Sequence, residues 1–150
     1  MWIASLIILI FLAFKKRLDF KIGKDFWQVI LAGILIAAHW ITFFHAIKIS
    51  TVSVALVCIS TGAFFGSLLG PLFTKTRIQM TEMLLGLAVV GGIYIIFHFE
   101  GDYTMGIITA LISAFLSALF SIMNARLIKS YRPNQLTFYE MMIGFIAISL

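Results

Sequence analysis

Three unbroken apolar runs, residues 26–47, 52–73 and 105–127, govern what this chain can fold into. A helix rises about 1.5 Å per residue and the hydrocarbon core of a bilayer is about 30 Å thick, so about 20 apolar residues cross it. Each run meets that length. None has the alternation that the wall of a membrane barrel requires. Three further apolar segments, 1–14, 83–98 and 136–150, are shorter. Segment 83–98 needs flanking residues to span. The first segment gives about 21 Å of helix, and the last stops inside an apolar run. Both ends are therefore expected to be cuts in a longer protein, a short first helix held by bilayer thinning or snorkelling being the other reading.

Composition agrees with six membrane segments. The chain is 62% hydrophobic and 11% charged, whereas a soluble domain carries about 25% charged residues. A soluble globule of this size has too little interior to hide that much apolar surface. The expected fold is an all-α, multi-pass helical bundle in the lipid bilayer of the cell (plasma or inner) membrane. The net charge of +5 does not point to nucleic acid, because the charges sit in short clusters between apolar runs. Lys15, Lys16, Arg17, Lys21 and Lys24 follow the first segment, Lys75 and Arg77 the third, and Arg126, Lys129 and Arg132 the fifth. The second connection has only Lys48, and the fourth has Glu100 and Asp102 without Lys or Arg. This alternation predicts that loops 15–25, 74–82 and 126–135 are cytoplasmic. No cleavable signal peptide is evident, because the first basic cluster follows its apolar run. The single cysteine, Cys58, excludes an intrachain disulfide.

Helices in lipid gain little from apolar contact alone, so small residues must let backbones approach. Gly62, Gly66 and Gly70 form one stripe at four-residue spacing, and Ala110, Ala114 and Ala118 form another. Both are expected to be packing faces, as are Gly33 and Ala37. Ser53, Ser60, Phe64 and Ser67 share one helix face; Ser113, Ser117, Ser121 and Asn124 run beside the alanines. Serine packs well and also lines polar cavities, so both readings stay open.

Ionisable groups inside a membrane are costly and mark function by default. His39 lies past the middle of its segment, sharing a face with Thr42 and Phe43, and Trp40 is adjacent. Its imidazole could bind substrate or carry a proton. Alternatively, a neighbouring hydroxyl or carbonyl satisfies it. Glu140, next to Tyr139, could be a gate or a coupling carboxylate; an exposed position at headgroup level is the favoured reading. His45 and Lys48 are expected to snorkel to the interface, and His98 to be interfacial. No metal site or cofactor is expected. His39 and His45 are six residues apart, not the four of a helical zinc pair. The sequence contains no phosphate loop, redox motif or hydrolase elbow.

Three stretches carry a resemblance. "HWITFFHAIKISTVSVA" (39–55), "GLAVVGGIYII" (86–96) and "GIITALISAFLSALFSIMNARLIK" (106–129) together resemble EamA-type members of the drug/metabolite transporter superfamily. The likeness extends over essentially the whole chain. Two positions depart from the family pattern. Ala63 stands where the fourth helix often has proline, and Thr76 precedes Arg77 where a glutamate is common. The resemblance implies ten helices in two inverted five-helix repeats, of which this chain would hold helices two to seven. Residues 1–98 would be the first repeat without its first helix, and 105–150 the truncated start of the second. The missing helices of the same protein would then be its partners, and a homodimer is a further option. By the same analogy His39, Trp40, Phe43, Ser60 and Phe64 line a substrate cavity.

The leading function is therefore alternating-access transport of small metabolites, such as amino-acid-like or related solutes, in the efflux direction. The alternatives are a membrane-embedded enzyme and a non-catalytic membrane subunit. An enzyme would need acids, histidines or metal ligands clustered near one interface. Here such groups are scattered and mostly topological, so an enzyme is not expected.

Overall fold

The computed structural model describes residues 1–15, 23–74, 80–99 and 101–149. Its order is α1 (Trp2–Phe14), α2 (Phe26–Ile49), α3 (Val52–Ile59), α4 (Gly62–Thr74), α5 (Met80–Phe99), a 3₁₀ turn (Gly101–Tyr103), α6 (Thr104–Leu127) and α7 (Pro133–Ser149). No strand occurs among the described residues. This is the fold of a multi-pass helical membrane protein. Lys16, Arg17, Lys21, Lys75, Thr76, Arg77 and Glu100, which carry part of the loop argument, lie outside the described residues. Lys15, Lys24, Arg126, Lys129 and Arg132 are exposed.

Local chemistry sets the helix boundaries. Thr51 caps α3: its backbone is extended, and its hydroxyl accepts from the Val54 N–H at 3.2 Å. Pro133 is the first residue of α7, where its missing N–H costs nothing. The last helix thus begins three residues before the expected apolar segment. Segment 83–98 likewise extends back to Met80, giving a 20-residue helix.

Segment 52–73 keeps the length of one membrane span, Val52–Phe73, but a step at Ser60–Thr61 divides it into α3 and α4. Ser60 Oγ donates to the Val57 carbonyl and Thr61 Oγ1 to the Cys58 carbonyl, both at 2.6 Å. The Thr61 N–H also pairs with Cys58 at 3.1 Å, three residues back instead of four. Side-chain bonds of this kind compete with the helical ladder and bend it. Further on, Pro71 lies inside α4 and brings no N–H to the ladder.

The described residues form two compact units. The first comprises residues 1–37 and 123–150. Here α1 packs on α7, and Val29, Ala32, Leu127, Tyr131 and Leu136 form a buried cluster. Phe26 meets Tyr139 edge-on at 5.4 Å. The second unit comprises residues 38–122. In it α5 packs on α3 and α4, and Ala46, Val54, Ala55, Cys58, Ile93, Ile107 and Ala110 form the core.

The second core is built mainly from small and medium residues, while the first adds Leu127, Tyr131 and Leu136 to Val29 and Ala32. Ala32, Ala46, Ala55, Ala110, Ala114 and Ser113 are completely buried. Many large side chains point outward; Leu72 is 76% exposed and Leu85 69%. In water that arrangement would be unstable, and in lipid it is the expected one.

Close backbone approach occurs at particular glycines. A Cβ added at Gly33 would stand 2.7 Å from Ile143 Cβ, and one at Gly86 would stand 2.5 Å from Phe64 Cβ. At Gly66 and Gly70 it would meet nothing within 4 Å, and at Gly62 only the Ala114 carbonyl at 3.7 Å. Among the described residues, the 62–66–70 stripe therefore does not mark the tightest approach. Gly86→Ala should destabilise the purified protein in a thermal unfolding assay by about 1–3 kcal/mol, the usual cost of overpacking. Gly66→Ala should leave the midpoint unchanged.

Candidate functional site

The second unit contains a groove of about 490 Å³ beside the break between α3 and α4. Ile59, Ser60, Gly62, Ala63 and Gly66 form one wall; Ser117, Ala118, Ser121 and Ile122 of α6 form the other. The glycines and alanines leave the space and the three serines give it polar groups. Ser60 is exposed, and its hydroxyl is engaged with the Val57 carbonyl. Its oxygen retains acceptor capacity toward a ligand.

His39 is fixed elsewhere in the same unit. Its Nδ1 lies 3.0 Å from the Ser113 carbonyl and 2.9 Å from Ser113 Oγ. Ser113 Oγ in turn donates to the His39 carbonyl at 2.9 Å. An Nδ1–H donating to the Ser113 carbonyl fits this pair of bonds, with the tautomer assigned from the network. The His39 carbonyl also accepts from Thr42 Oγ1 at 3.0 Å. The ring stacks on Phe43 at 6.1 Å and lies 6.0 Å from Phe120. The hydroxyl-and-carbonyl alternative for His39 is thus realised at Nδ1. The other ring nitrogen, Nε2, takes no part in these bonds.

The expected cavity residues are not all brought together. Ser60 lines the groove, His39 and Phe43 form a stacked pair, and Trp40 is exposed beside Phe44 at 5.5 Å. Phe64 lies against Gly86 and Phe65. Ala110 and Ala114 are buried, while Ala118 lines the groove with Gly62 and Gly66. Ser117 and Ser121 were absent from the expected site, although their stripe was visible in the sequence. Its spacing could not distinguish a packing face from a cavity wall.

Glu140 belongs to the first unit and departs from expectation. It is 2% exposed, buried in the protein where an exposed side chain was expected. Asn124 Nδ2 donates to its Oε2 at 3.2 Å. The α7 helix extends back to Pro133, so Glu140 stands two turns inside it, within the cover of its neighbours. Among the described residues, no three His, Cys, Asp or Glu side chains are grouped to hold a metal.

The profile of the EamA-like transporter family matches residues 1–98. The chain belongs to the EamA-like transporter family. YdfC of Bacillus subtilis (strain 168), an uncharacterized transporter, is 29% identical over 116 residues, covering 72% of this chain and 37% of that protein. The chain thus spans little more than a third of this relative. No solved structure gives a significant match.

The paired bonds between His39 and Ser113 should contribute measurably to stability. Ser113→Val should lower it by about 1–3 kcal/mol in thermal unfolding, the range for leaving a buried partner unsatisfied. His39→Asn can place an amide donor near the Nδ1 position and should recover most of the stability lost in His39→Leu.

Proposed function

We propose that this chain is part of a secondary transporter that moves small metabolites, amino-acid-like or related solutes, outward across the plasma or inner membrane. The observation that carries this reading is the groove of about 490 Å³ with Ser60, Ser117 and Ser121 in otherwise small apolar walls. Small-ligand sites are typically concave, about 300–1,000 Å³, mostly apolar and supplied with a few polar groups. Interrupted helices recur at transporter binding sites, because their exposed backbone groups meet the solute. The α3–α4 break forms one end of this groove. Membership of a transporter family supports the same reading over an enzyme or a passive subunit.

In this proposal residues 1–98 form the first repeat without its first helix, and 105–150 begin the second. The rest of a ten-helix protein completes the pathway. The repeats and the two compact units are different divisions, since packing clusters need not follow sequence repeats. Loops 15–25, 74–82 and 126–135 face the cytoplasm. His39, with Nε2 outside its bonds to Ser113, joins Trp40, Phe43 and Phe64 as a secondary set of solute contacts.

The test is counterflow of a solute panel by the full-length protein in proteoliposomes. Ser117→Phe should fill the groove and lower flux about tenfold or more, equivalent to losing ~1.4 kcal/mol of productive binding. His39→Ala should also impair flux while membrane insertion stays intact. No carrier-dependent flux of any solute, or full flux in Ser117→Phe, would contradict the proposal.

A further inference from the structure

The only carboxylate buried within a described helix core, Glu140, is held by an amide instead of a cation. Asn124 Nδ2 donates to Oε2 at 3.2 Å. Glu140 Oε1 and Asn124 Oδ1 have no hydrogen-bond partner among the described residues. An isolated carboxylate is expensive in such surroundings, and a neutral acid is far less so.

The groups around this pair can be named element by element. Helix α1 has no titratable side chain, and neither does the α2 stretch of this unit. The Met1 side chain lies against Gly144. Lys24 and Asp25, preceding α2, are exposed. Helix α6 brings Arg126, and the following turn brings Lys129 and Arg132, all exposed. Tyr131 is buried, and its hydroxyl accepts from the Gly23 N–H at 3.2 Å. Tyr139 neighbours Glu140 on α7 itself and packs against Phe26. No basic group is bonded to the carboxyl among the described residues.

An asparagine partner has a property that lysine or arginine lacks. Its amide offers a donor at one end and an acceptor of nearly equal size at the other. With Nδ2 toward Oε2, it donates to a carboxylate. Turned about its Cβ–Cγ bond, it presents Oδ1 at the same place and accepts from a protonated carboxyl. One side chain thus serves both charge states without moving a helix. A cationic partner would favour only the ionised state.

We propose that Asn124 and Glu140 form a proton-binding site whose amide turns over as the carboxyl gains or loses its proton, and that this site carries the coupling proton of the transporter. The proton is taken from water and returned to water, and no other bond is made or broken. Its use in coupling rests on the transport reading above; the proton site itself does not.

The test is infrared difference spectroscopy of the full-length protein across a pH titration, with transport measured alongside. A protonated-carboxyl C=O band should appear and vanish reversibly with pH. It should be lost in Glu140→Gln and return at a shifted frequency in Glu140→Asp. In Asn124→Leu its midpoint should move by about one pH unit or more, as expected for losing a hydrogen bond to a charged group. In vesicles, Glu140→Gln should lose flux driven by a pH gradient and keep solute counterflow. A band that survives Glu140→Gln, stays constant with pH, or titrates unchanged in Asn124→Leu overturns the proton site. An intact band together with gradient-driven flux in Glu140→Gln overturns only its coupling role. Absence of all flux leaves the infrared result to decide the proton site and counts against the transport reading instead.

Discussion

Hydrocarbon offers no hydrogen bonds, so each polar group of a membrane segment must find its partner inside the protein. That constraint explains why the described apolar runs are helical apart from the step at Ser60–Thr61. It also explains how the α3–α4 interruption is tolerated. Ser60 and Thr61 supply hydroxyls to the Val57 and Cys58 carbonyls where the backbone ladder changes step. The groove lies at this same place. A helix break that carries its own donors can stand beside a cavity without leaving those carbonyls bare.

Packing follows from the same solvent. Lipid gives large apolar side chains little reason to turn inward, and alanine is accordingly the commonest buried residue, although Leu127, Tyr131 and Leu136 anchor the first unit. Where small residues face a neighbour closely, as at Gly33 and Gly86, they permit contact. Where they face no close neighbour, as at Gly66, they leave room, and the groove occupies it. One residue type thus serves two purposes, and the partner across the way decides between them.

This accounts for what could be read from the sequence. Helix existence and approximate limits followed from run length, and five of the six segments correspond to single helices. The split at Ser60–Thr61 was hidden, because hydropathy does not register where a hydroxyl bonds. The serine stripe of α6 was visible, but its role depended on Ser60 and Gly62 across the groove. His39 stands out in the sequence as an ionisable group inside an apolar segment, whereas its anchoring by Ser113 depends on which helix lies beside it. The burial of Glu140 is not legible in the sequence, because nearness to a segment boundary does not fix nearness to water. Its cover comes from residues distant in sequence, notably Asn124.

The central proposal is that the groove bearing Ser60, Ser117 and Ser121 receives its solute from water. The most direct test introduces one thiol at a time into a Cys58→Ala background. The probe is a water-soluble, membrane-impermeant thiol reagent applied to the full-length protein in vesicles. Ser117→Cys should be labelled rapidly, and Ile112→Cys, on an exposed apolar position of the same helix, should be labelled slowly or not at all. Equal inertness of both positions, with reaction only toward lipid-soluble reagents, would contradict the account.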